Sequence, residues 1–263
     1  MHPTTSDIKM HIAINKSMIE GATLAVLPGD PGRVRPLAMS LDPEAKHLAS
    51  NREYTSFLAT YLGHKIVICS TGIGGPSTAI AIEELAQIGV KDYVRVGTCG
   101  AIVPHIEAGE IIVTKASVRL DGASYHYAPP EYPAVASFEL TESLVAGLRH
   151  HNISYHIGIT ASSDTFYPGQ ERYDTFSNYV LPKWQGSMEM WHKLNVLNFE
   201  MESATLLTVC AALGLHAACF CGVIANRTRS EKAILAADFH QNLLMRMETV
   251  LKAGLKEHLS KLK

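Results

Sequence analysis

Short β-branched runs separated by longer amphipathic stretches recur along the chain, and this alternation restricts it to a layered fold in which helices cover a sheet. The runs are TLAVLP (23–28), KIVICS (65–70), DYVRVG (92–97), EIIVTKAS (110–117), YHIGITASS (155–163) and AACFCGVIAN (217–226), each of strand length. Between them, 76–89 reads as a helix opened by Pro76 and stopped by Gly89, and 203–213 as a helix closed by Gly214. The expected fold is α/β, a single-domain α/β/α layered arrangement around a central mixed β-sheet that spans residues 1–263. The stretch 121–136, rich in proline and aromatics, predicts an ordered irregular loop, and the mixed-charge tail from about 230 to 263 a helix packed on the outside.

Charge removes several classes of partner. The formal net charge is -2 with 13 histidines counted neutral, so no cationic field draws the chain onto nucleic acid or an anionic membrane, and any bound anion needs a local site. The start, MHPTTSDIKMHIAINKS, lacks an apolar h-region and no later run reaches spanning length, so a soluble, cytoplasmic protein is expected. Cys69, Cys99, Cys210, Cys219 and Cys221 are scattered among apolar residues, which predicts buried thiols rather than disulfides or zinc ligands. His150 and His151 are adjacent and read as a solvated helix end.

Three glycine-containing turns follow candidate strands: PGDPGR (28–33), STGIGGPS (70–77) and RVGTCGA (95–101). At the carboxyl ends of strands such turns let backbone N–H groups approach an anion, although glycine also simply makes tight turns. Arg33 and Arg95 sharpen the reading, because an arginine inside YVRVG is costly to bury unless it meets an anion. Phosphate is the expected ligand. Ser77 occupies the third position of a would-be G-x-G-x-x-G, and no GK[ST] closes any of the turns, so neither a dinucleotide fingerprint nor a Walker A loop is present.

Downstream, SSDTFYPGQERYD (162–174) brings Phe166, Gln170 and Arg172 within seven residues, a stacking face with amide and guanidinium donors that suits a planar heterocycle. Glu200 and Glu202 flank Met201 before an apolar helix; paired carboxylates there either bind sugar hydroxyls or cap the helix, and the sequence leaves both readings open.

Taken together, these residues resemble the nucleoside phosphorylase family. The long pattern STGIGGPSTAIAIEEL (70–85) matches its signature region, and likeness to bacterial members acting on uridine runs from about residue 7 to 228. The resemblance implies phosphorolysis of uridine to uracil and ribose 1-phosphate, with inorganic phosphate as co-substrate and no required cofactor. It assigns Gly29, Arg33, Arg95 and Thr98 to phosphate, with Arg52 contributed by a neighbouring subunit. Phe166, Gln170 and Arg172 match the uracil site, and Ile224 and Arg227 the strand end and loop that close it. Glu200, Met201 and Glu202 match the ribose site, Thr98 lies beside it, and His11 matches a histidine lent by the neighbour. Arg95, Gln170, Arg172 and Glu202 form the implied catalytic set. Glu53, Ile73 and Ser77 match an intersubunit potassium site, and a homohexamer of three dimers is implied.

The purine branch usually carries a Ser-Asp pair where this chain reads IANRT (224–228), which favours pyrimidines. A purine phosphorylase or nucleosidase of the same fold is the alternative enzyme, and a non-catalytic nucleoside-binding module the alternative of another class. Cys99 stands where related chains have threonine, and TRSEKAIL after Arg227 replaces a longer polar stretch.

Overall fold

The computed structural model describes residues 7–261; residues 1–6 of the expected amino-terminal segment and 262–263 of the expected tail helix lie outside the described residues. The six predicted runs form β1 (Leu24–Pro28), β4 (His64–Cys69), β5 (Asp92–Ala101), β6 (Ile111–Leu120), β8 (Tyr155–Ser163) and β10 (His216–Asn226). Four further strands join them: β2 (Lys46–Asn51), β3 (Tyr54–Tyr61), β7 (Ala134–Val135) and β9 (Val196–Glu200). β2 is largely exposed at the edge of the sheet, so its residues need not be apolar.

All ten strands belong to one mixed sheet, which forks at β5. On one side it continues through β1, β4 and β3 to β2; on the other, β5 pairs with β10 and β9, and β10, β6, β8 and β9 complete a ring that returns to β5. β1 covers one edge of β5 as far as Pro28 opposite Val96, and β9 resumes on that edge with Phe199 opposite Gly100. Gly97, Thr98 and Cys99 lie in the gap between these ladders.

The central strands are buried on both faces, with alternate side chains entering two cores. Ala25, Val67, Tyr93 and Cys219 pack with Ile82 and Leu85 of α2 (Gly75–Gln87) and Leu206 and Val209 of α5 (Ser203–Ala212). Val26, Ile68, Val94 and Phe220 pack on the other side with Leu37 of α1 (Val34–Leu41), Leu144 of α3 (Phe138–His150) and Val250 of α6 (Ala237–Ser260). A short α4 (Ser187–Lys193) lies near β9. The predicted helices correspond to α2, α5 and α6, and Gly89 and Gly214 end the first two at positive φ. The 121–136 stretch holds a 3₁₀ turn and β7, ordered by Arg119, which donates to the carbonyls of Ala128, Pro129 and Tyr132. All five cysteines are free and buried, and among the described residues no helix is long and apolar enough to cross a membrane.

Glycine sets the approach of α3 to α6. A Cβ on Gly147 would lie 2.6 Å from the Gly254 amide nitrogen, contact that the backbone cannot absorb by a rotamer change. Gly147→Ala is therefore expected to destabilise the fold by about 1–3 kcal/mol through overpacking, although alanine favours a helix by roughly 1 kcal/mol. Urea titration should show a lower midpoint with an unchanged slope; an equal or higher midpoint would contradict this packing.

Candidate active site

A cavity of about 670 Å³ opens beside the stretch of β5 that is left uncovered on one edge and collects turns from β1, β4, β8, β9 and β10. Gly29, Arg33, Arg95 and Thr98 line it, as do Glu200, Met201 and Glu202 and the group Phe166, Gln170, Arg172 and Ile224. Glu53 and Ile73 also line it.

Arg95 shares the β5 face of Tyr93 and Gly97, and its guanidinium lies along the strand. That posture requires glycine two residues on, since a Cβ at Gly97 would fall 2.8 Å from Arg95 Nη2 and from Cys221 Sγ. Arg95 Nε donates to Glu200 Oε2 at 3.1 Å, and Nη2 donates to Glu202 Oε2 in a short ion pair. Glu202 Oε1 also accepts from the Gly74 amide at 2.6 Å, immediately before α2. Burial opposes the Arg95 cation, but Glu202 and Glu200 outweigh it and hold its pKa above the ordinary value. Burial lifts the Glu202 carboxyl, opposed by Arg95 and reinforced by Glu200. Burial also lowers Arg33, with Asp30 opposing. Arg33 Nη1 and Arg95 Nη1 are buried without a hydrogen-bond partner among the described residues, which leaves both free to donate to an anion.

Glu200 lines the cavity and also makes the contacts of a helix cap. Its carboxylate accepts from the Ser203 amide at 3.0 Å, the Ser203 hydroxyl at 2.6 Å and the Glu202 amide at 3.0 Å, besides Arg95. Glu200 therefore caps the start of α5 and orients Arg95, while Glu202 is the carboxylate held between Arg95 and α2.

Gln170 and Arg172 are 3% and 4% exposed on either side of Glu171, whose φ of 52° is left-handed. Glu171 turns away from this pair to accept from the Met188 amide at 2.6 Å and the Gly186 amide, which starts α4. The Arg172 guanidinium stacks 4.2 Å from the Phe166 ring centre. Ile224 is the extra residue of a bulge, since Val223 faces Cys99 and Ala225 already faces Gly100. The bulge changes the course of β10 beside the cavity that Ile224 lines. Glu231, not singled out from the sequence, pairs with both Arg172 and Arg227. Its only local signal was a spacing of four residues from Arg227.

His11 and Arg52 do not line this cavity. They lie together elsewhere: Asn51 donates to the His11 carbonyl at 2.8 Å and precedes Arg52, which has a φ of 53° in the β2–β3 turn. His11 Nδ1 is 2.7 Å from Glu84 Oε1. Ser77 Oγ donates to the Ile73 carbonyl at 3.3 Å, and Glu53 lies against Gly72, so the three expected potassium ligands are neighbours.

A family profile described as "Phosphorylase superfamily" matches residues 23–256. The chain is 56% identical over 226 residues to "Uridine phosphorylase" of Escherichia coli (strain K12), covering 86% of this chain and 88% of that one. It is 46% identical over 228 residues to "Uridine phosphorylase" of Thermococcus kodakarensis, covering 87% and 81%. To "Guanosine phosphorylase" of Halorubrum lacusprofundi it is 37% identical over 203 residues, covering 77% and 78%.

Proposed function

The chain belongs to the phosphorylase superfamily, and from that premise we propose that it is a pentosyltransferase that splits uridine with inorganic phosphate, giving uracil and ribose 1-phosphate. The observation that carries the reading is one cavity lined both by Arg33 and Arg95, whose buried Nη1 atoms lack partners among the described residues, and by the Phe166, Gln170 and Arg172 group. The 56% identity to the Escherichia coli protein supports uridine as the nucleoside.

Breaking the C1′–N1 bond builds positive charge on the sugar and sends the bonding electron pair into the base. Phosphate, clamped by Arg33, Arg95, Thr98 and the Gly29 turn, stabilises the sugar from below and forms the new bond to C1′. Glu202, anchored by Gly74 and Arg95, orients the ribose hydroxyls beside Met201, and Glu200 acts through Arg95. Gln170 and Arg172 hold the uracil oxygens and N3 as charge enters the ring, which stacks on Phe166 while Ile224 and Arg227 close the pocket. The reaction uses no cofactor besides its phosphate co-substrate.

His11 and Arg52 serve the cavity of a neighbouring copy in a homohexamer of three dimers. Glu53, Ile73 and Ser77 supply one chain's share of oxygen ligands, a carboxylate, a carbonyl and a hydroxyl, for an intersubunit potassium ion. The enzyme works in the cytoplasm in pyrimidine nucleoside salvage and catabolism, with no nucleic-acid or membrane partner.

Uracil release from uridine is expected only with phosphate present, together with ribose 1-phosphate in equal amount. Chromatography of reactions with and without phosphate tests this; comparable cleavage in phosphate-free buffer would make the chain a hydrolase.

A further inference from the structure

The segment between β10 and α6 crosses the cavity wall, which includes Glu231 and Ala233, and returns to the Ile224 bulge through the Ile234 amide, 3.1 Å from the Ile224 carbonyl. Arg229 ties the start of the segment to Glu107 in an exposed forked pair, and Glu231 anchors it at the cavity. Arg227 Nε and Nη2 donate to the two Glu231 carboxylate oxygens at 2.8 and 3.0 Å, a forked pair. Arg172 Nη1 donates to Glu231 Oε2 at 2.7 Å and to the Glu231 backbone carbonyl at 2.9 Å.

One residue thus joins two buried guanidiniums from distant segments, one after β8 and one at the end of β10. The two cations repel, and burial together with Arg227 lowers the Arg172 pKa while Glu231 opposes both. One carboxylate against two cations leaves a net positive charge, the sign needed where electrons move into a departing base. Among the described residues Arg172 Nε and Arg227 Nη1 are buried without a hydrogen-bond partner, so Glu231 does not exhaust either donor set.

We propose that Glu231 is a positioning residue of the base subsite: its carboxylate ties Arg172 to Arg227, fastens 228–236 across the cavity and orients Arg172 towards the base. This rests on the uridine reading, acts through the two arginines and requires no contact between Glu231 and substrate.

The test combines steady-state kinetics with hydrogen exchange on the full-length native enzyme, Glu231→Ala and Glu231→Gln. Both variants should raise the KM for uridine by about 10-fold or more, the scale of a lost charge-assisted contact, while the KM for phosphate stays within about 2-fold. Uridine should lose more kcat/KM than cytidine, narrowing base selectivity. Without substrate, amides in 228–236 should exchange faster in both variants than in native enzyme, with the sheet unchanged. Glutamine retains the size and an acceptor, so native behaviour in Glu231→Gln would overturn the ionic role. An unchanged or lower uridine KM in Glu231→Ala would overturn the proposal, the latter by making the carboxylate a competitor of the base; equal rises for uridine and phosphate would also overturn it. If native enzyme fails to cleave uridine, the uridine reading falls, and with it Glu231's assignment to a base subsite, while exchange in 228–236 still decides whether Glu231 fastens the segment.

Discussion

Arg95→Ala is expected to lower kcat/KM for uridine phosphorolysis by about 10²- to 10³-fold, the scale on which a preorganised charge clamp acts on a transition state. Arg95 has two tasks with separable signatures. It is the buried ion partner of Glu200 and Glu202, and its Nη1 is an unpartnered donor in the same cavity as Arg33. Removing it leaves two carboxylates buried together, so the variant should also lose about 3–5 kcal/mol of stability. Arg95→Lys separates the tasks, because an ammonium retains the charge but cannot span both carboxylates and an anion as a planar fork does. It should regain much of the stability and little of the activity. Denaturant titration reads the first effect, and kcat with KM for phosphate the second. A folded Arg95→Ala enzyme with native phosphate KM and turnover would remove Arg95 from the phosphate site.

Base choice should show a comparably large effect. Native enzyme is expected to prefer uridine over cytidine and inosine by up to roughly 10⁴-fold in kcat/KM, since a wall built for specific hydrogen bonds rejects partners that leave its donors unpaired. Cytidine presents an amine where uridine has O4, setting donor against donor. A purine is larger and leaves Gln170 and Arg172 mismatched, at a cost of roughly 1–3 kcal/mol per group. Gln170→Ala should lose most of its uridine activity and much of this discrimination. Inosine is an informative competitor because a relative 37% identical to this chain is named for a purine nucleoside. Equal cleavage of inosine and uridine by native enzyme, or unchanged uridine turnover in Gln170→Ala, would dismiss the uracil assignment of 166–172.

The strands that were legible in the sequence, such as β1, β4 and β10, are buried on both faces and therefore read as continuous apolar runs. β2 and β3 escaped because β2 is an exposed edge and β3 carries Thr55, Ser56 and Thr60 among its apolar residues. β9 escaped because five residues with Asn198 and Glu200 in them carry almost no period. In the site, Arg95 announced itself as a charge inside an apolar strand. Glu200 did not, since a carboxylate before a helix has the same local signature whether it caps or binds ligand. Glu171 and Glu231 were invisible for a different reason: one depends on a left-handed backbone angle and the other on Arg172, 59 positions away. The roles of Thr98, Ile224, His11 and Arg52 came from family resemblance and from no local pattern.

The ring at the end of the sheet has a consequence for biosynthesis. β10 is its keystone, bonded to β5 from Asp92 to Ala101 and to β6 from Ile111 to Thr114, yet it is the last strand along the chain. A ribosome will have delivered both neighbours long before it delivers the strand between them. Until then β5 and β6 each present an unpaired backbone edge, the kind of surface that recruits foreign strands. Arg95 lies on one of those two strands. Maturation of the pocket therefore coincides with protection from aggregation, and a nascent chain halted before His216 would have neither.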